Sequence, residues 1–333
     1  MNSITFYNRE KLKQHTRWRW GEEKMGETVR VVPNWQAVKE SNAPYVILGI
    51  PEDIGVRANY GKAGTAKAWN ACLDAFCNIQ SNEYTKPENA IILGEIDCNK
   101  QLLEAQQLDP EDPFLPTKMG SLIKEIDDKV SEVIEKIVSF NKIPIVIGGG
   151  HNNSYGNLKG TSKAFGKAIN CVNMDAHSDF RTLEHRHSGN GFSYAFEEGF
   201  LNNYYIVGLH RNYTSASLFS KLNEMKDRIQ FTLFEEILME KPSFSEALLE
   251  AKNFIEETPF GVELDLDAIA GMGSSAQSPT GFTLEQARQY VQFFANHKNC
   301  TYFHFCEGAP AFENHTNQVG KTLAYLISDV ISL

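Results

Sequence analysis

From residue 45 onward, short continuous apolar runs alternate with longer stretches in which apolar residues return every third or fourth position. The runs at 45–50, 90–93, 144–147, 168–174, 204–208, 230–232, 259–266 and 301–306 read as strands. Between them, apolar residues at 122, 123, 126, 130, 133, 134 and 137 follow a helical period. The segments 65–76, 153–165, 214–226, 244–257, 283–297 and 316–332 are read as helices as well. A strand with one solvated face alternates apolar and polar residues; these strands do not, so both faces of their sheet are covered. Strands and helices taking turns along the chain predict an open, mostly parallel α/β sheet flanked by helices. Residues 1–42 are polar, with Trp18, Trp20 and Trp35 as apolar anchors, and read as an N-terminal extension packing on one domain at 43–333. No repeat or linker divides the rest.

Composition narrows the class of protein. Of 333 residues, 42% are hydrophobic and 22% charged, the balance of a globular chain. A net charge of −10 argues against nucleic acid or an anionic membrane as partner, since both reward clustered Lys and Arg. No apolar run approaches the roughly 20 residues that span a bilayer. The first residues lack the apolar core of a signal peptide. Six scattered cysteines, none in a Cys-x-x-Cys pair, read as reduced core residues of a cytoplasmic protein.

Chemistry concentrates at the carboxyl ends of three strands. Asp175-Ala-His177-Ser-Asp179 follows one, Glu263-Leu-Asp265-Leu-Asp267 closes another, and Gly148-Gly-Gly-His151 follows a third. If strand geometry continues, residues at every second position share a face, so Asp175, His177 and Asp179 converge, as do Asp265 and Asp267. So much negative charge at buried strand ends is destabilising unless cations neutralise it. A pair of divalent metal ions is the most economical reading. In open α/β sheets ligands also bind beyond the carboxyl ends of strands, where these motifs lie.

Taken together, Gly148-Gly-Gly-His151, Asn173-Met-Asp-Ala-His-Ser-Asp179 and Glu263-Leu-Asp-Leu-Asp267 resemble the metal motifs of the ureohydrolases, the arginase, agmatinase and formimidoylglutamase superfamily. The resemblance runs from about residue 45 to the C-terminus. It implies a three-layer α/β/α fold, a mostly parallel sheet of about eight strands, two manganese ions per chain, a small cationic amidine or guanidino substrate and a homo-oligomer. One manganese would take His151, Asp175, Asp179 and Asp265; the other would take Asp175, His177, Asp265 and Asp267. Such a carboxylate-rich set suits manganese better than a thiolate-seeking metal. Asp179 is expected to orient the attacking hydroxide as well as to bind metal. Glu307 stands where the family places the glutamate that pairs with the substrate's cationic C–N group.

Within the superfamily the chain is most similar to formimidoylglutamases, through the Arg181 that closes Asp-x-His-x-Asp-x-Arg and the Arg/Asn/Gly-rich loop carrying Arg57 and Asn59. Arg181, Asn190, Arg57, Asn59 and Arg211 are the candidate substrate contacts, since an arginine can hold a carboxylate with two hydrogen bonds. The chain departs from pattern at Lys62, where an arginine is usual, at Asn152, where an acid is usual, and at Gly308-Ala309. Phe192 occupies the place of the proton-shuttle histidine of arginases, which speaks against a true arginase; His185 and His187 are the nearby histidines. The expected reaction is hydrolysis of N-formimidoyl-L-glutamate to L-glutamate and formamide, a step of histidine breakdown. The alternatives are another guanidino-compound hydrolase releasing urea and a non-catalytic metal-binding relative.

Overall fold

The computed structural model describes residues 3–333. Its strands are β1 (Ile4–Phe6), β2 (Arg30–Val31), β3 (Tyr45–Gly49), β4 (Ala90–Ile96), β5 (Ile143–Ile147), β6 (Ile169–Met174), β7 (Leu201–Leu209), β8 (Ile229–Leu233), β9 (Phe260–Asp265) and β10 (Cys300–Cys306). They form one sheet in the order β1-β4-β3-β5-β10-β9-β6-β7-β8, with β2 beside β4. Only β1 runs antiparallel to its neighbour.

The continuous apolar runs are explained by helices on both faces. In β5, Ile145 and Ile147 join a core with Trp69, Phe303 and Leu323, while Val146 between them joins a second core with Ile123, Ile126 and Val130. The helices Ala68–Phe76, Phe244–Ile255, Leu284–Ala295 and Gln318–Ile331 belong to the first layer. Leu115–Ser139 and Asn153–Phe165 belong to the other, the latter through a third core with Tyr204, Ile206 and Phe192.

The sheet has ten strands, not eight. The two additional ones lie within the first 42 residues, where β1 is three residues long and β2 two. Segments so short carry no period of their own; they are strands because β4 supplies their partners, Ile96 for Ile4 and Ile91 for Arg30. The Gly-rich stretch 55–64 begins in a helix, Ile54–Ala58, and the helix read at 122–137 extends over Leu115–Ser139. All six cysteines are free and buried. Among the described residues, no helix is long and apolar enough to cross a membrane.

The order β5-β10-β9-β6 decides where chemistry gathers. These four neighbours are parallel, so the residues at or just past their carboxyl ends emerge side by side at one edge: His151, Glu307, Asp265 and Asp175.

Candidate metal centre and cavity

After β5 the chain turns through Gly148 and Gly149, at φ +85° and +71°, a region that side chains disfavour. A Cβ on Gly149 would also lie 2.3 Å from Asn153 Nδ2 and 2.9 Å from Glu52 Oε1. That space is used by the fully buried Glu52. Its Oε1 accepts from Gly150 N at 2.8 Å and Asn153 Nδ2 at 2.7 Å, while Oε2 accepts from Ile54 N at 2.7 Å. The loop is thereby fastened to the chain after β3, and His151 is delivered, wholly buried, above the sheet edge.

The two acidic motifs share a local device that is not strand alternation. β6 ends at Met174 and β9 at Asp265, so all of Asp175–Asp179 and the Asp267 end of the other motif lie past their strands. Asp175 Oδ1 accepts the amide of His177 at 2.6 Å, and Asp265 Oδ1 accepts that of Asp267 at 2.8 Å. In each case an aspartate holds the backbone two residues on in a tight turn. The convergence expected from an extended strand is thus achieved by turns, and Asp179 completes the first at φ +45°.

The result is two adjoining donor sets that share Asp175; a third close group, His151, Glu263, His304 and Cys306, is wholly buried. His151 Nδ1 lies 2.9 Å from Asp179 Oδ2, 3.2 Å from Asp175 Oδ2 and 3.3 Å from Asp265 Oδ2. His177 Nδ1 lies 3.2 Å from Asp267 Oδ2 and 3.6 Å from Asp175 Oδ1. The groups His151–Asp175–Asp179–Asp265 and Asp175–His177–Asp267 each bring their ligand atoms within 4.8 Å of one another. Asp175 belongs to both, one oxygen facing each imidazole, whereas Asp265, expected in both, is grouped with the first set alone. Yet His151 Nδ1 and Asp267 Oδ1 are buried and make no aligned hydrogen bond. Buried polar atoms are ordinarily paired. An imidazole nitrogen facing three carboxylate oxygens without bonding to one of them is the arrangement a common cation would satisfy, so the residues fit divalent metal ions.

Electrostatics agrees. Burial, then Asp267 and Asp175, push the Asp265 carboxyl well above its usual range. Burial likewise raises Glu307 to about 8 against the pull of the His151 amide, with Asp179 and Asp267 adding to the rise. The imidazoles of His151 and His177 would be held neutral by burial, but the surrounding anionic groups raise both well above the ordinary range. The cluster is short of positive charge, and protons are the weaker way to supply it.

A cavity of about 540 Å³ opens over this edge, lined by His177, Asp179, Asp265, Asp267 and Glu307. Glu307 sits just past β10 at φ +60°, with Oε1 accepting the His151 amide at 2.8 Å. Asp179 and Glu307 are therefore both non-glycine residues in the left-handed region, where backbone strain gathers at functional sites. Asn59 and Arg181 line the same cavity, joined by a 2.6 Å bond from Arg181 Nη1 to Asn59 Oδ1, and Arg181 Nη2 also pairs with Glu184 at 3.1 Å.

Three expected substrate contacts are not placed at the cavity. Arg57 turns outward to Asp53 and the Ala105 carbonyl. Arg211 is largely exposed and pairs with Glu235. Asn190 is buried and spent on structure, accepting from Arg186 Nη1 at 2.6 Å and His187 N at 3.1 Å and donating to His185 O at 2.9 Å. Other residues line the cavity instead. Tyr213 stacks on His177 with centroids 5.0 Å apart, and Ser188, Gly189 and Ser275 line the wall. Nothing in the local sequence distinguishes these from ordinary loop residues. Phe192, edge-on to His151 at 5.1 Å, is a core residue that closes the buried side of the donor set. His187 is occupied by Glu184 and the Gly189 amide.

Comparison with known proteins agrees with this fold. The arginase family model matches residues 43–332. A formimidoylglutamase of Lysinibacillus sphaericus (strain C3-41) is 25% identical over 293 residues, 86% of this chain and 83% of that protein. The crystal structure of formimidoylglutamase from Bacillus subtilis superposes with a TM-score of 0.76 at 15% identity, covering 95% of this chain and 93% of that one. The Trypanosoma cruzi formiminoglutamase with Mn2+ superposes at 0.72 with 18% identity, covering 93% and 99%. The class is that of hydrolases acting on amidino C–N bonds. The chain belongs to the arginase family.

Proposed function

We propose that the protein is a formimidoylglutamase, hydrolysing N-formimidoyl-L-glutamate to L-glutamate and formamide with two manganese ions. The observation that carries the metal reading is Asp175, whose two carboxylate oxygens face the two different imidazoles of the adjoining donor sets. His151, Asp175, Asp179 and Asp265 would hold one ion, and Asp175, His177, Asp265 and Asp267 the other. Two divalent ions held together lower the pKa of a shared water toward neutrality and so supply hydroxide. Everything else is the work of side chains. Asp179, 12% exposed, stands between the donor set and the cavity and orients the attacking oxygen. Glu307 faces the same space and pairs with the cationic amidine through charge-assisted hydrogen bonds. Water adds at the amidine carbon, the bond from that carbon to the glutamate nitrogen breaks, and the amine leaves with a proton.

Arg181 and Asn59, which line the same cavity as the carboxylates, carry the choice of substrate. A guanidinium in the same cavity as an acidic site suits a molecule with a cationic amidine at one end and a carboxylate at the other. A substrate cationic at both ends, such as agmatine, would meet Arg181 with like charge. The similarity to formimidoylglutamases in sequence and fold supports the same reading.

The test is direct. The purified, manganese-loaded chain is offered formimidoylglutamate, arginine, agmatine and short guanidino acids, with formamide and urea measured separately. Formamide release from the first supports the proposal, and urea release from another substrate transfers it to that guanidino compound. No turnover with two metals bound marks a non-catalytic relative. Asp265→Ala should lose both ions; two metals per chain in that variant would refute the ligand assignment.

A further inference from the structure

Behind His151, on the side away from the cavity, a fully buried carboxylate remains without a role. Glu263 lies on β9 two residues before Asp265, directly opposite His304 of β10 in the sheet register. Its Oε1 accepts from Tyr302 Oη at 2.8 Å, and its Oε2 pairs with His304 Nδ1 at 2.5 Å. The same Oε2 faces His151 Nε2 at 3.4 Å. His304 Nε2 continues to the carbonyl of Gly148, 3.2 Å away, and so back to the loop that delivers His151. His151 Nε2 is itself buried and makes no aligned hydrogen bond, so the Glu263 oxygen is a charged neighbour within reach of it and not yet a bonded partner.

A buried carboxylate is costly unless charge and hydrogen bonds answer it. A metal-binding imidazole, in turn, must present a lone pair on one nitrogen and carry its proton on the other. In His151 the nitrogen facing Asp175, Asp179 and Asp265 is Nδ1, which leaves Nε2 as the protonated one, and the anionic oxygen it meets is that of Glu263. Phe192 packs edge-on against the ring, and the Cys306 sulfur, which shares this buried group, is a weak acceptor beside a carboxylate oxygen. We infer that Glu263 is a positioning residue for His151. Its carboxylate stands as the acceptor for the Nε2–H, fixes the ring so that Nδ1 points into the donor set, and is itself held by Tyr302 and His304. The inference rests on the metal reading of the site. It adds an acidic partner that the first sequence motif does not show and that only the pairing of β9 with β10 supplies with donors.

The experiment compares the wild-type chain with Glu263→Leu, Glu263→Gln and Tyr302→Phe. For each, manganese bound per chain, the affinity of each ion by competition with a chelator, and the thermal midpoint with and without manganese are measured. Loss of such a partner typically weakens a metal site by about 10- to 100-fold. Glu263→Leu should therefore weaken one of the two ions by that factor and spare the other. Glu263→Gln, which keeps a carbonyl acceptor, should recover part of the loss. Tyr302→Phe, which removes one support and leaves the ring in place, should weaken the same ion by a smaller factor. The rise in midpoint on adding manganese should shrink in the same order, because a ligand that binds only the folded state stabilises it according to its affinity. A purely structural Glu263 would instead lower the metal-free midpoint and leave both affinities unchanged, and that result overturns the inference. Should Glu263→Leu fail to fold, unchanged affinity in both Glu263→Gln and Tyr302→Phe does the same. If the wild-type chain binds no manganese, it is the metal reading that falls, and this inference with it.

Discussion

Alanine at Gly149 tests whether the loop before His151 is fixed by space or only by backbone conformation. At φ +71° a side chain costs about 1–2 kcal/mol for the left-handed region alone. The added Cβ would also stand 2.3 Å from Asn153 Nδ2 and 2.9 Å from Glu52 Oε1, too close for either to stay. Moving them strains the 2.7 Å bond between Asn153 and Glu52 and the 2.8 Å bond from the Gly150 amide. Hydrogen bonds to a charged group contribute about 1.5–3 kcal/mol each, so losing one brings the total to about 3–5 kcal/mol. That is a large part of the about 5–15 kcal/mol that keeps a protein folded. Gly166→Ala is the matched control: φ is +66°, but no atom lies within 4 Å of its Cβ position, so only the backbone cost applies. Urea unfolding of the metal-free proteins gives both changes in stability, and manganese titration shows whether His151 has shifted. Equal destabilisation by the two alanines would refute the steric argument. So would a Gly149→Ala protein that binds manganese as the wild type does.

Other outcomes follow from single contacts. Ile145→Ala, on the central strand β5 and wholly buried, should cost about 2–5 kcal/mol in the same unfolding assay. Arg181→Met should raise KM for formimidoylglutamate by about 10- to 100-fold, the loss of one charge-assisted contact, and change kcat less; an unchanged KM removes Arg181 from substrate binding. His187 is lowered from 6.5 to about 4, chiefly by burial. Its Nδ1 accepts the Gly189 amide and its Nε2 faces Glu184, a pairing that only the neutral ring completes. The folded state then binds fewer protons than the unfolded one between about pH 4 and 6.5. Stability from this group is complete above that window and is lost as pH falls through it, by about 2–3 kcal/mol. His187→Gln should flatten that part of the stability–pH curve. Chelator treatment of the manganese-loaded chain should lower its thermal midpoint, and restored metal should raise it again.

Much of the site was legible because its chemistry is compressed into short motifs. Three glycines before His151, and acids spaced by two around His177 and at Asp265, leave few uses for so much charge at strand ends. The substrate side was not. Arg57, Asn190 and Arg211 were chosen by residue type, and each proved to be engaged elsewhere, because a guanidinium or amide can serve structure as readily as ligand. Tyr213 and Ser275 show the converse: loop residues come to line the cavity only through what the fold places beside them.

By itself, the sequence determined the covered parallel sheet, through apolar runs that need shelter on both faces, and the donors, through types and spacings that no solvated turn requires. Their assembly belonged to tertiary structure. The strands carrying His151, Asp175, Asp265 and Glu307 come fifth, sixth, ninth and tenth along the chain but lie in the order β5-β10-β9-β6. Strand order is set by how helices pack across both faces of the whole sheet, a long-range outcome that no local window contains. The same pairing of β9 with β10 brought Tyr302 and His304 to Glu263, and so placed an acid behind His151 where the motif alone shows only a residue preceding Asp265.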